Sequence, residues 1–162
     1  MEILDLYDKD GNKLNKTNIR GTPHNKDEYN LAVDVWIEND KGQILLTQRH
    51  PSKLLYPMKW ECTSGFVKAG EDSLTAALRE VNEETGIRLN KNEGKKIHRI
   101  VRHNINIIFD IFMFTKTVDI KNLKIQADEV INIKWTEKEE LKEMFKKDEM
   151  VEPLNYIIDL ML

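Results

Sequence analysis

Glu80, Glu83 and Glu84 place three carboxylates within five residues of the stretch GFVKAGEDSLTAALREVNEETGI, Gly65 to Ile87. The spacing predicts a helix over Ser73–Thr85, with Asp72 or Ser73 as N-cap and Gly86 in the left-handed position past its end. Like charges three and four apart on a helix repel by ~0.2–0.5 kcal/mol per pair. They also fall near the C-terminal end, where the helix dipole disfavours negative charge. Breaking two local rules at once is a mark of functional sites. At about 100° per residue, Leu74, Ala77, Leu78, Val81 and Thr85 share one stripe, and the three glutamates line its rim. A cation is the natural compensation. An all-oxygen set without His or Cys suits Mg²⁺ or Mn²⁺ and argues against zinc. A solvated acidic face is the alternative reading of the same three residues.

The residues before the helix add to the pattern. Gly65 and Gly70 bracket a short loop, where glycine permits sharp turns and close approach. Glu71 and Arg79 are spaced to bridge that loop to the helix and to hold Gly65 against the glutamates. Gly65, Glu71, Arg79-Glu80, Val81, Glu83-Glu84, Gly86 and Ile87 together fill every fixed position of G-x5-E-x7-R-E-U-x-E-E-x-G-U, U being a bulky aliphatic. This resembles the Nudix box. The resemblance implies metal ligation by Glu80, Glu83 and Glu84, a backbone carbonyl ligand from Gly65, and a bracing role for Glu71 and Arg79. It also implies an α/β/α sandwich with a mixed β-sheet between helices, and hydrolysis of a diphosphate bond by water attack at phosphorus. The substrate would be a nucleoside diphosphate linked to another moiety.

The opening DLYDKDG, the Arg20-Gly21 loop and the hairpin followed by Trp60 resemble the Nudix hydrolases that look like isopentenyl-diphosphate isomerase. That isomerase is therefore an alternative. By resemblance it needs a cysteine five residues after the tryptophan and a metal-binding His before the first core strand. Gly65 and Asn30 stand at those positions, and Cys62 is misplaced, so hydrolysis is favoured. A non-catalytic nucleotide-binding module is the other alternative; an intact box speaks against it.

Outside the box, Glu129 is a candidate base, by resemblance to an acid often carried on the loop before the last strand; otherwise Asp128 and Glu129 solvate a loop. Arg49 and Lys53 either meet substrate phosphate or belong to a solvated loop. His50 and His103 can be drawn near phosphate, but His24, His50, His98 and His103 show no ligand spacing. Trp36, Trp60, Phe66, Phe109, Phe112 and Phe114 could include a base-stacking platform, though strand spacing suits them to a core.

Elements must position these groups. Strands are expected at Ile3–Tyr7, Leu31–Glu38, Gln43–Gln48, Lys95–Val101, Ile105–Lys116 and Glu129–Trp135, the second and third forming a hairpin. Leu31–Glu38 alternates as a half-buried strand does. Residues 13–28 read as a polar loop. Thr136 is expected to cap a helix from Glu137 to about Lys147, with Glu139 completing a capping box. A last helix is expected over Leu154–Leu162, after Pro153. The mixture predicts an α+β fold, one domain over 1–162 with residues 1–28 as an N-terminal strand and loop extension. The 162 residues are 40% hydrophobic with a formal net charge of −3, which gives no attraction to nucleic acid or an anionic membrane. One cysteine excludes an internal disulfide. No signal peptide or apolar span is seen, so a cytoplasmic enzyme acting on a small-molecule diphosphate is expected; a homodimer is left open.

Overall fold

A computed structural model describes residues 1–161. Strands β1 (Ile3–Tyr7) and β2 (Lys13–Ile19) form a two-stranded antiparallel sheet. The main sheet contains β3 (Asn30–Glu38), β4 (Ile44–Arg49), β5 (Trp60–Glu61), β6 (Thr63–Phe66), β7 (Gly94–Arg102), β8 (Ile107–Thr115) and β9 (Val130–Thr136). Its path runs β5-β4-β3-β8-β7, with β6 on β3 and β9 on β4. Strand β3 runs parallel to β8 and antiparallel to β6, so the sheet is mixed. The helices are α1 (Ser73–Thr85), α2 (Lys138–Lys146) and α3 (Tyr156–Met161). None among the described residues is long and apolar enough to cross a membrane.

Helices cover both sheet faces, as the α/β/α expectation requires. Val33, Val35 and Ile37 pack in one core with Ala76, Ala77 and Val81 of α1. The alternate residue Trp36 lies in a second core with Leu141 and Met144 of α2 and Ile157 of α3. The two-residue period of a strand sends neighbours to opposite faces. This corrects the half-buried reading of Leu31–Glu38. With both faces covered, even Asp34 is only 2% exposed.

Other expectations also change. Residues 13–28 are not all loop, because Lys13–Ile19 pairs with β1. The β3–β4 hairpin pairs only at Glu38 and Ile44 and then splays. The short strands β5 and β6 enter the gap, β5 on β4 and β6 on β3. Thr136 does not cap α2; it is the last residue of β9, paired with Ile44 and fully buried. Glu137 takes the N-cap position and makes no side-chain capping bond. The expected last helix begins at Tyr156, after a 3₁₀ turn over Glu152–Leu154, and its final residue, Leu162, lies outside the described residues.

The N-terminal sheet rests on the loop that follows β6. Tyr7 and Tyr29 exchange backbone hydrogen bonds of 2.9 Å, and Ala69 N–H donates to Ile3 O at 2.9 Å. Gly70 N–H donates to Asp5 Oδ2 at 2.9 Å, with Gly70 at φ +85°. Residues 1–19 thus support the segment between β6 and α1.

Candidate active site

Helix α1 starts where Asp72 Oδ1 accepts the Thr75 N–H at 2.7 Å. It ends at Gly86, with φ +75° and its N–H donating to Asn82 O. Arg79 projects from this helix into a group of oxygens. Its Nε and Nη2 donate to Glu71 Oε1 and Oε2 at 2.7 and 2.9 Å, and Nη2 also donates to Phe66 O at 3.0 Å. Nη1 donates to Glu80 Oε1 at 2.7 Å and to Glu83 Oε2 at 3.3 Å. Glu71 Oε2 further accepts the Lys68 N–H at 3.0 Å. One guanidinium therefore ties the loop, the end of β6 and two of the box glutamates together.

Gly65 lies in β6 directly against Glu80. A Cβ at Gly65 would fall on the Glu80 carboxyl group. Burial raises the Glu80 carboxyl above its ordinary range, and the Arg79 hydrogen bond pulls it back down.

Glu84 points the other way, into the sheet. Its Oε2 is buried and has no hydrogen-bond partner. Burial, then the charges of Glu61 and Glu80, push its carboxyl well above the usual range. Glu61, in β5, is a buried carboxylate that sequence reasoning missed. Burial raises it to about 7, although Arg49 Nη1 donates to both its oxygens at 2.9 Å. The available signal was an acid inside the otherwise uncharged run Trp60–Phe66.

The remaining candidates divide. Lys53 pairs with Glu129. Its loop is joined to the loop before β9 by His50 N–H donating to Glu129 O at 2.9 Å. Gln126 N–H donates to Glu84 O at 2.9 Å, which docks that second loop on the end of α1. The structure thus brings Glu129 and Lys53 to the Glu84 end of the site. Arg49 is engaged by Glu61 and by Leu55 O, at 3.0 Å from its Nε. Asp128 is exposed. His24, His50 and His103 bond to Asn30, Ser52 and Tyr29, and His98 is exposed on β7. Trp36, Phe112 and Phe114 are buried. Cations cover the partly buried rings: Arg20 sits 4.8 Å from the Phe66 centroid, Lys134 4.8 Å from Trp60, and Arg102 5.4 Å from Phe109.

The convergence of three glutamates on one point is not seen in this arrangement. Among the described residues, no three His, Cys, Asp or Glu side chains are grouped closely enough to hold an ion as they stand. The reason is local. Arg79 draws Glu80 and Glu83 to one side while Glu84 turns inward. The residues nevertheless fit a hard divalent cation in three respects. The donors are all oxygen, Glu84 Oε2 is an orphaned buried acceptor, and the absent side chain of Gly65 leaves its backbone in contact with Glu80.

A cavity of about 530 Å³ opens elsewhere, between the N-terminal sheet and the start of α1. Its cations Lys13, Lys96 and Arg99 are paired with Asp5 and Asp110, so it presents no unpaired cation to an anionic ligand.

Known proteins resemble this chain in sequence and in fold. The profile described as NUDIX domain matches residues 28–159. An uncharacterised Nudix hydrolase of Listeria innocua is 32% identical over 153 residues, covering 93% of this chain and 89% of its own. Isopentenyl-diphosphate Delta-isomerase 1 of Photorhabdus laumondii is 29% identical over 143 residues, covering 83% of this chain and 81% of its own. The crystal structure of the protein DR0079 from Deinococcus radiodurans superposes with a TM-score of 0.74 at 19% identity, covering 92% of this chain and 91% of its own. The last likeness concerns fold alone.

Proposed function

We propose, for a chain that belongs to the NUDIX domain family and is one of its hydrolases, that it cleaves the diphosphate bond of a nucleoside diphosphate linked to another moiety. The observation that carries this reading is Glu84. A buried carboxylate oxygen without a partner costs about 1–3 kcal/mol or more, and the cost is offset when a cation or proton occupies it. Glu80, Glu83, Glu84 and the Gly65 carbonyl would hold Mg²⁺ or Mn²⁺. When bound, such an ion neutralises phosphate oxygens and acidifies a water. Arg79 and Glu71 fix the loop so that Gly65 stays against Glu80. Lys53, paired with Glu129, would meet a phosphate, which would free Glu129 to take the proton of the attacking water. Arg49 holds Glu61 beside Glu84.

Hydrolysis is preferred to isomerisation on the position of the thiol. Cys62 is 1% exposed, packs in the core under α2 and α3, and burial pushes its thiol well above the ordinary range. Asn30, where a metal-binding His would be needed, is bonded to Asn18 and His24.

The test is turnover of a panel containing ADP-ribose, a dinucleoside diphosphate, a sugar nucleotide and a nucleoside triphosphate. Hydrolysis should require Mg²⁺ or Mn²⁺ and stop in excess chelator. Glu84→Gln should lower kcat by about 10²–10³-fold, the scale of losing a group that stabilises developing charge. Undiminished turnover in chelator would sink the reading. Cys62→Ala should fold and retain turnover.

A further inference from the structure

We infer that the loop between β4 and β5 is an apolar lip for the part of the substrate beyond the diphosphate, so that this moiety is an alkyl or aryl group rather than a sugar. This rests on the hydrolase reading and names its substrate class. The structure places four large apolar side chains in water within five residues: Leu54 is 95% exposed, Leu55 66%, Tyr56 40% and Met58 48%. One exposed leucine means little, but a contiguous run marks a binding surface. Hydrogen bonds to its carbonyls hold the run. Gln48 Nε2 donates to Met58 O at 3.0 Å, Arg49 Nε donates to Leu55 O at 3.0 Å, and Lys59 N–H donates to Tyr56 O at 3.3 Å. Tyr56 and Met58 are held at φ +50° and +66°, where side chains are disfavoured. Such strain persists only where the surroundings over-determine it.

The loop that bears the lip is tied to the carboxylate site. Arg49, which holds the Leu55 carbonyl, is the same group that holds Glu61 beside Glu84. Lys53, the residue before Leu54, pairs with Glu129 and feels the charges of Arg49, Glu84, Glu61 and Arg20. In this proposal a diphosphate lies between Glu84 and Lys53 with its far end at Leu54 and Leu55. A sugar there would lose water to aliphatic carbon without hydrogen bonds in return. An alkyl or aryl group would gain from covering both leucines. In the reaction, the water oxygen bonds to phosphorus and the bridging P–O bond breaks. The products are a nucleoside monophosphate and the organic monophosphate, and the water proton passes by way of Glu129 to solvent.

The experiment compares the octyl ester of ADP with ADP-ribose, using the wild type, L54S/L55S and Leu54→Phe. Wild type should favour the octyl ester in kcat/KM. L54S/L55S should lose about tenfold or more of that preference, the consequence of removing roughly one leucine's worth of contact. Leu54→Phe should keep it. Equal turnover of both substrates by wild type, or a preference untouched in L54S/L55S, would overturn the lip and leave the hydrolase reading standing. If neither substrate is cleaved, binding of their methylene-bridged analogues decides. Tighter octyl binding that L54S/L55S abolishes would support the lip while the hydrolase reading fell; equal binding would overturn it. A wild-type dimer in sedimentation that L54S/L55S dissociates would also overturn it, because a second copy would then cover these leucines.

Discussion

Glu84 and Glu61 are two carboxyl groups buried beside each other, and their titration gives the site a sign that can be measured. Each would ionise near 4.5 in the unfolded chain. In the folded protein burial holds the proton on Glu61 to about 7, and Glu84 is raised in the same direction. Between those limits the native state binds more protons than the unfolded state. Stability therefore falls as pH rises from about 4.5 toward 7 and beyond. Metal-free protein should show that decline in thermal unfolding across pH 4.5–8, and Glu84→Gln should flatten it. Parallel slopes for both proteins would mean that Glu84 is solvated and stores nothing. At this scale the sequence was legible where the motif is local. Gly65, Glu71, Arg79, Glu80, Glu83 and Glu84 lie within one loop and one helix, so spacing alone groups them. Glu61 was not legible, because it lies outside the motif on a short strand that only the folded chain brings near Glu84.

Like strand β1, helix α1 has the bounds that the sequence marks, and for the helix the reason is that its capping residue and its terminal glycine are both adjacent to it. Its charges are better matched than the spacing alone suggests. The spacing crowds glutamates on the helix, but Arg79 bonds to both Glu80 and Glu83 and offsets part of their repulsion. Glu83→Gln should therefore change metal-free stability by less than about 0.5 kcal/mol, the value of an exposed i,i+4 pair. The contact that matters more is between elements. Gly65→Ala would drive a methyl group into the Glu80 carboxyl. Overpacking of this kind costs about 1–3 kcal/mol. The variant should keep its helix content by circular dichroism, lose stability, and bind Mg²⁺ more weakly by calorimetry. Wild-type Mg²⁺ affinity in this variant would remove Gly65 from the site. Helix α2 shows the opposite failure of local signals. Thr136 and Glu139 carry the spacing of a capping box, yet β9 continues through Thr136 against Ile44, and pairing with a distant strand overrides the local pattern.

Across the whole molecule, β3 separates two cores, and one polar contact joins the far core to the strand that bears Gly65. Ser64 Oγ, next to Gly65, donates to Asp34 Oδ1 at 2.6 Å. Tyr156 of α3 donates its hydroxyl to Asp34 Oδ2 at 2.7 Å, and Trp36 Nε1 donates to that hydroxyl at 3.1 Å. The residues of this network come from positions 34, 36, 64 and 156, so no spacing in the chain announced it. Asp34 read as the polar half of an alternating strand; it is buried because α3 closes the face it points to. Burial raises the Asp34 carboxyl, and its two hydroxyl partners lower it again. Tyr156→Phe keeps the ring that packs edge-on to Trp36 at 6.4 Å and removes only the oxygen. It leaves one Asp34 oxygen and the Trp36 N–H without a partner, in a place water does not reach. An unsatisfied buried group costs about 1–3 kcal/mol, so urea unfolding should show a loss of that size at an unchanged m-value. Full wild-type stability would show that Asp34 and Trp36 find other partners, and that the terminal helix is held by its apolar residues alone.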